Sequence, residues 1–533
     1  MKTVLDEMHR RSAVCLLILI SLMLICVLRI LVLASDKSLG HAAVAQSSVS
    51  IDLYRCRGEI YDTNMLPITS ASSKMMSVIT ATPQGVVSAA SILDDNTYSR
   101  VLSRLSNGFG VLVDSESSGL PGIIPVRVPL RYTKNQCAAH VVGYINGDGH
   151  GVSGLEAGLD ELLYSGKFAK ISFTVDAANK ILLGAQPIIA NKTSNSSVVL
   201  TIDSKIQEIA EKALDVVDKG AVVVTEARTG KIRALASAPV FNPLNPQENV
   251  DDKDSPFINR ALNAYSVGSV FKVCVAAAAI DHGLDSFVYE CTGNVAIDGI
   301  NFNCHKKDGH GRMNMQTALA HSCNCYFYNL AIELGAKKIH STAANCGFGM
   351  PINLGGGLTS AAGIMPDIEK ISTLKGALAN FSIGQGQLLL TPLSLTTLYS
   401  AVCCDGSYVQ PYLIEGFIND TGYTQAKNST AKTGVMKKST AQKLKNYLIE
   451  ALNDGTGVSA KPSTAVGGGK TATAQTGQLI DRRQIENGWF CGFVEINNSL
   501  YVISVFVEDA VTGSSQSSQI FKTIADNMAK VIG

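Results

Sequence analysis

The chain has 533 residues, 46% of them hydrophobic, and 45 Lys and Arg stand against 44 Asp and Glu for a formal net charge of +1. Balanced charge leaves no electrostatic footprint for nucleic acid, and the length suffices for two or three domains. Composition excludes little else.

Lys2, Arg10 and Arg11 precede an apolar stretch from Ala13 to Ala34, broken only by Ser21 and Arg29. About 20 apolar residues span the hydrocarbon core of a bilayer. The pattern predicts a single-pass anchor over 13–34, with residues 1–12 cytoplasmic and the bulk of the chain outside, because basic flanks stay inside. Arg29 lies near the outer end, where it can snorkel to the headgroups. Ala43-Val44-Ala45 resembles a signal-peptidase site. It sits far beyond an apolar run that is itself longer than a signal core, so the expectation is an uncleaved anchor.

From Val49 to Leu183 the pattern is mixed. Tyr54 to Asn64 alternates like a strand running into a turn, and His140 to Asn146 is also strand-like. Arg57 and Glu156 suit either a buried interdomain pair or two solvated side chains. Residues 50–184 are expected to form one domain, and the polar end of 185–197 a linker.

A second domain over 198–533 opens with Val199 to Asp203 and an amphipathic helix from Ser204 to Val217. Ala221 to Thr225 and Ile232 to Ser237 flank Thr229-Gly230 as a hairpin. Helices follow around Ser269, then strands over Gly488 to Glu495 and Leu500 to Glu508, then a last helix. Ile418 to Thr440 is polar and reads as a loop. The fold class is α+β, an antiparallel sheet with helices.

The chemistry concentrates at Ser266-Val267-Gly268-Ser269-Val270-Phe271-Lys272, which opens into the apolar run Val273 to Ile280. Residues three apart in a helix's first turn share a face. Burial lowers a lysine pKa, and a neutral lysine can take the proton of a serine nucleophile. Ser429-x-x-Lys432 repeats the spacing, and Lys432-Thr433-Gly434 overlaps it, in a polar segment where both matches are accidental. Two further elements lie downstream: Ser322-Cys323-Asn324, and Lys470-Thr471-Ala472-Thr473 behind Gly467-Gly468-Gly469. Ser-x-x-Lys, Ser-x-Asn and a Lys-Thr-Gly variant in this order form the signature of penicillin-binding proteins and serine β-lactamases.

From about residue 50 onward the chain resembles the class B penicillin-binding proteins, monofunctional peptidoglycan D,D-transpeptidases. Further matching blocks are Arg57-Gly58-x-Ile60-x-Asp62, Gly154-Leu155-Glu156, Asn259-Arg260-Ala261, Ile383-Gly384-Gln385-Gly386 and Trp489-Phe490-x-Gly492-Phe493. The resemblance implies an elongated α+β pedestal, or dimerisation domain, ahead of a transpeptidase domain, with no glycosyltransferase domain before the pedestal. It implies that Ser269 is the nucleophile, Lys272 its base, Ser322 a proton relay and Asn324 an orienting group. Lys470 and Thr471 would hold the substrate carboxylate, with Ala472 and Thr473 beside them on the substrate-binding strand and Lys470 keeping Lys272 neutral by repulsion. The N–H groups of Ser269 and Thr473 would form the oxyanion hole. Substrates would be stem peptides ending in D-Ala-D-Ala, and β-lactams would acylate Ser269. The partner implied is a polytopic glycosyltransferase. Two departures stand out. Ala472 replaces the usual glycine, where an added methyl can narrow the groove, so activity is expected with altered β-lactam affinity, and Val267 replaces a proline. The rival functions are a β-lactam hydrolase or sensor on the same fold, and a catalytically impaired wall scaffold.

Thirteen cysteines are many for a domain outside the membrane. Cys291, Cys304 and His310 are spaced for a structural zinc, with His321 or Cys323 as a fourth ligand. A Cys291–Cys304 disulfide and plain thiols are the alternatives. No other cofactor is expected.

Overall fold

The computed structural model describes residues 2–35, 48–116, 119–176, 181–182, 188–190, 196–480, 483–511 and 513–533. Ala43-Val44-Ala45 and most of the linker expected over 185–197 lie outside these residues. Helix α1 (Lys2–Ser35) contains the apolar segment Glu7–Ser35, long and apolar enough to cross a membrane, with none of it buried against protein. Such a helix satisfies its own backbone groups and leaves its side chains to lipid.

The chain forms two compact units: residues 1–56, 73–129 and 166–193 make the first, and 57–72, 130–165 and 194–533 the second. These units interleave along the chain, where a single boundary was expected near 184. Strand Ile60–Tyr61 pairs in parallel with strand Ser196–Leu200, and so belongs with the carboxy-terminal unit. Arg57 and Glu156 also lie inside that unit and are fully packed rather than solvated or interdomain. The Glu156 carboxylate accepts from Arg57 Nε at 2.6 Å, Arg131 Nε at 2.7 Å and the Tyr132 hydroxyl at 2.7 Å. The strand expected over His140–Asn146 is instead the helical turn Ala139–Val142. It is bracketed by left-handed Ala138 (φ 53°) and by Gly143 (φ 80°), which turn the chain too sharply for extended pairing.

In the first unit, one three-stranded sheet has the order Ser48–Arg57, Tyr164–Thr174, Ile188–Ala190, and another the order Val111–Val113, Ser72–Ile79, Ile123–Leu130. Helices Pro83–Ile92 and Asp95–Ser106 start at Thr82 and Asp94, whose side chains cap the free N–H groups.

The second unit is built on a five-stranded antiparallel sheet of β1 (Gly220–Glu226), β2 (Ile232–Ala238), β3 (Val466–Ile480), β4 (Arg483–Ile496) and β5 (Ser499–Val507), in the order β2-β1-β5-β4-β3. The expected hairpin forms, its turn closed by Gly230 at φ 76°. Period-two alternation divides each strand between two cores. Phe490, Val494, Ile503 and Val505 pack with Ile520 and Phe521 of the carboxy-terminal helix, whereas Trp489, Cys491, Val502 and Phe506 face the helical core around Val273. The segment Ile418–Thr440, expected as loop, contributes short exposed strands at Gly422–Gln425 and Lys432–Gly434.

Candidate active site

Ser269 sits in a 3₁₀ turn, Gly268–Phe271, that runs directly into helix α2 (Lys272–Asp281). Three residues per turn stack positions i and i+3, so the turn sets Ser269 and Lys272 one above the other. α2 is apolar all round and buried from Lys272 to Ile280, which fixes where the lysine stem starts. Gly268 has φ 62°, and the turn comes so close to Gly384 that a Cβ there would lie 2.1 Å from the Gly268 carbonyl. Only glycine fits both places. Val267, in the usual proline position, is fully buried.

Ser322 and Asn324 come from a junction of two helices, α3 (Met315–Ala320) and α4 (Asn324–Leu334). The junction is a Schellman motif: the Ser322 N–H donates to Leu319 O at 3.3 Å and the Cys323 N–H to Ala318 O at 2.9 Å. The left-handed position that such an ending reserves for glycine is occupied by Ser322, at φ 56°. A non-glycine residue held there signals strain maintained by its surroundings.

Those surroundings include Lys272. Its Nζ donates to the Ser322 carbonyl at 2.8 Å and to Asn324 Oδ1 at 2.7 Å, with Ser322 Oγ at 3.3 Å. The side chain is entirely buried. Burial pushes its pKa down to about 7, against a smaller opposing pull from the thiols of Cys323, Cys304 and Cys325. Lys470 is also pushed well down, by burial first and by the charge of Lys272 second. Desolvation, rather than the expected repulsion from Lys470, is thus the main reason why Lys272 is readily neutral.

Lys470 to Thr473 lie on β3, an edge strand of the sheet. Lys470, Ala472 and Ala474 point inward and are buried, while Thr473 and Gln475 are exposed. Lys470 Nζ donates to Thr471 O at 3.0 Å, and the hydroxyls of Thr471 and Thr456 are 2.8 Å apart. The Ala472 methyl does not narrow the groove. It is 3% exposed and packs under the strand, where a Cβ on Gly268 would meet it at 3.4 Å. A cavity of about 660 Å³ opens above, lined by Ser269, Asn324 and Thr473 among others, with neither Thr471 nor Ala472 in its wall. Ser269, Lys272, Ser322, Asn324, Lys470, Thr471 and Thr473 are therefore gathered in one place. Lys432-Thr433-Gly434 is fully exposed on a different sheet, and the second Ser-x-x-Lys leads nowhere.

The model of the penicillin binding protein transpeptidase domain matches residues 220–526, more than half of the chain. The chain belongs to the penicillin-binding protein transpeptidase family. Stage V sporulation protein D of Bacillus subtilis is 27% identical over 491 residues, covering 85% of this chain and 74% of that protein. Peptidoglycan D,D-transpeptidase MrdA of Acinetobacter baumannii is 27% identical over 458 residues, covering 76% and 67%. In fold, penicillin binding protein 3 of Mycobacterium tuberculosis complexed with aztreonam superposes with a TM-score of 0.65 at 24% identity, over 89% of this chain and 96% of that one.

Beside the catalytic motifs this penicillin-binding protein carries a thiol cluster. Strand Tyr289–Cys291 pairs with Gly311–Met313, which brings Cys291 beside the residue following His310. His310 Nδ1 lies 3.7 Å from Cys291 Sγ and 3.5 Å from Cys304 Sγ. Cys323 completes a set whose four ligand atoms all lie within 4.8 Å of one another; His321 is outside it. All thirteen cysteines are free thiols, so the Cys291–Cys304 disulfide does not form. Three thiols and one imidazole, three of them buried, fit a closed tetrahedral zinc site in donor chemistry and in spacing. One residue in contact with the motifs, Thr456, had no signal of its own in the sequence, and its role exists only through the fold.

Proposed function

We propose that the chain is a membrane-anchored peptidoglycan D,D-transpeptidase that works through an acyl-enzyme on Ser269 and is acylated there by β-lactams. The observation that carries this reading is the buried Lys272, held by Ser322 and Asn324 and pushed down to a pKa of about 7, one turn from Ser269 at the floor of an open cavity. Neutral Lys272 takes the Ser269 Oγ proton as Oγ attacks the carbonyl between the last two D-alanines. The N–H groups of Ser269 and Thr473 receive the oxyanion, and Ser322 passes a proton to the departing D-alanine amine. The amine of a neighbouring stem then attacks the ester and Oγ recovers its proton. Thr471, Thr473 and Lys470 hold the terminal carboxylate, whose arrival restores charge to Lys470.

α1 is the anchor, with residues 1–12 in the cytoplasm and the catalytic unit outside. The part of the first unit that follows α1 serves as pedestal and, with α1, as the route to a polytopic glycosyltransferase partner. Cys291, Cys304, His310 and Cys323 would hold a structural zinc, which supplies no step of the reaction and fixes the backbone around Cys323.

The test is time-resolved labelling with a fluorescent penicillin, wild type beside Ser269→Ala. Stable labelling abolished in the variant supports the reading. Labelling that decays within minutes makes the protein a hydrolase, and a folded protein that never labels is a scaffold.

A further inference from the structure

The edge strand β3 sets out its exposed side chains in sequence, Thr473 and then Gln475, and both line the cavity that contains Ser269. Two residues along a strand advance about 7 Å. An extended peptide laid against this edge, with its terminal carboxylate at the Thr471 end, therefore brings its upstream side chains to the level of Gln475. The cross-strand neighbour of Gln475 on β4 is Glu486.

The wall of the cavity is rich in neutral amides, Asn303, Asn324, Asn380, Gln385 and Gln475, and Glu486 is its single carboxylate. Glu486 is half-buried. Its carbonyl is used by the Ala510 N–H at 2.7 Å, but among the described residues no ion pair or hydrogen bond engages its carboxylate. A lone carboxylate in a mostly neutral cavity is a site for a cation.

This step rests on the transpeptidase reading. That reaction ends by acylating an amine, and stem peptides of one wall are alike, so a donor stem carries the same amine as an acceptor. We propose that Glu486 is a specificity residue that binds the primary ammonium of a stem peptide beside Gln475. Amidated or acylated amines are discriminated against at this position.

The experiment uses peptides with lysine immediately before D-Ala-D-Ala, its side-chain amine free or acetylated, and the full chain in detergent. The wild type should be acylated about fivefold faster, in kcat/KM, by the free amine, as expected for one partly buried ion pair. Glu486→Gln should bring the ratio to about one, Glu486→Asp should restore part of it, and Glu486→Lys should invert it. If the donor ratio survives in Glu486→Gln but transfer to an added amine falls relative to hydrolysis, the ammonium recognised is the acceptor's, and the assignment stands. If neither quantity changes, Glu486 is not the ammonium site. A fluorescent penicillin run first on the wild type separates the two levels. Failure to label overturns the transpeptidase reading and the assignment with it, whereas labelling with no effect of Glu486→Gln overturns the assignment alone.

Discussion

Asn324 offers Lys272 a neutral oxygen: the 2.7 Å contact from Nζ ends on an amide, and among the described residues its partners are this oxygen and the carbonyl and hydroxyl of Ser322. Burial holds the Lys272 pKa down to about 7, and the amide adds no negative charge to oppose it. In the proposed reaction the neutral amine is the base, and its fraction grows as pH rises. The acylation rate constant should climb about tenfold per pH unit below the pKa and flatten above it. Asn324→Asp supplies a negative charge that favours the ammonium, so the rise should move to higher pH by more than about one unit. Stopped-flow acylation by a fluorescent penicillin across about pH 5 to 9 reads both profiles.

Ser322, the proposed proton relay, places its hydroxyl on a backbone position that favours glycine. Ser322→Ala and Ser322→Gly both remove the hydroxyl and should both lose about 100-fold or more in acylation rate. They should differ in stability, with the glycine variant more stable than the alanine variant by about 1 kcal/mol, because only the latter keeps a Cβ in the left-handed region. Denaturant titration of the two proteins checks the difference.

Ala472 faces the turn before Ser269 instead of the substrate. Ala472→Gly should therefore cost about 1 kcal/mol of stability through lost packing and added chain entropy, with acylation slowed by less than about threefold. Ala472→Val should be the damaging change, since extra volume displaces Gly268 and with it Ser269. Melting temperature and penicillin acylation rate, measured together, separate the two effects.

The thiol cluster predicts one zinc per chain in protein purified under reducing conditions, read by elemental analysis. Cys291→Ser or His310→Ala should lower the stoichiometry to near zero and lower the melting temperature. Metal-free wild type with an unchanged melting temperature would leave the cluster as packed thiols.

Glu156 is wholly buried, and its carboxylate is shared by Arg57, Arg131 and Tyr132. Glu156→Ala takes the shared carboxylate from two guanidinium groups, leaving Arg57 with Asp160 at 2.8 Å and Arg131 with Glu59 at 3.6 Å, and should destabilise the second unit by about 3 kcal/mol. Glu156→Gln keeps the shape and should lose less. Equilibrium unfolding of the two variants tests the order.

The motifs were readable because their chemistry depends on residue type and chain order. Ser269, Lys272, Ser322, Asn324 and Lys470 were singled out without coordinates, and the fold gathers them. The hairpin at Thr229-Gly230, the helix from Ser204 and the last two strands were equally plain, since each has its own periodicity and turn residues. What the sequence hid was direction and partnership. Whether the Ala472 methyl faced groove or core depended on the phase of β3, and a one-residue phase change reverses every side chain. His140 to Asn146 read as extended because its apolar run has no periodicity, and left-handed Ala138 leaves no mark in composition. The true extent of the carboxy-terminal unit depended on the pairing of Ile60–Tyr61 with Ser196–Leu200, a contact that no local pattern encodes.

The order of the sheet also has a consequence in time. Its middle strand is β5, which pairs with β1 through Val502 and Thr225 on one side and with β4 on the other. Residues 220–226 must therefore wait, during synthesis, for a partner made almost at the end of the chain. Contacts so distant in sequence close slowly, and until they do the apolar faces of both cores stay uncovered. A chain that stops short of Ser499 lacks the centre of its sheet and not merely an edge. The serine is laid down at the midpoint of synthesis, but its site can be assembled only when the last strands arrive.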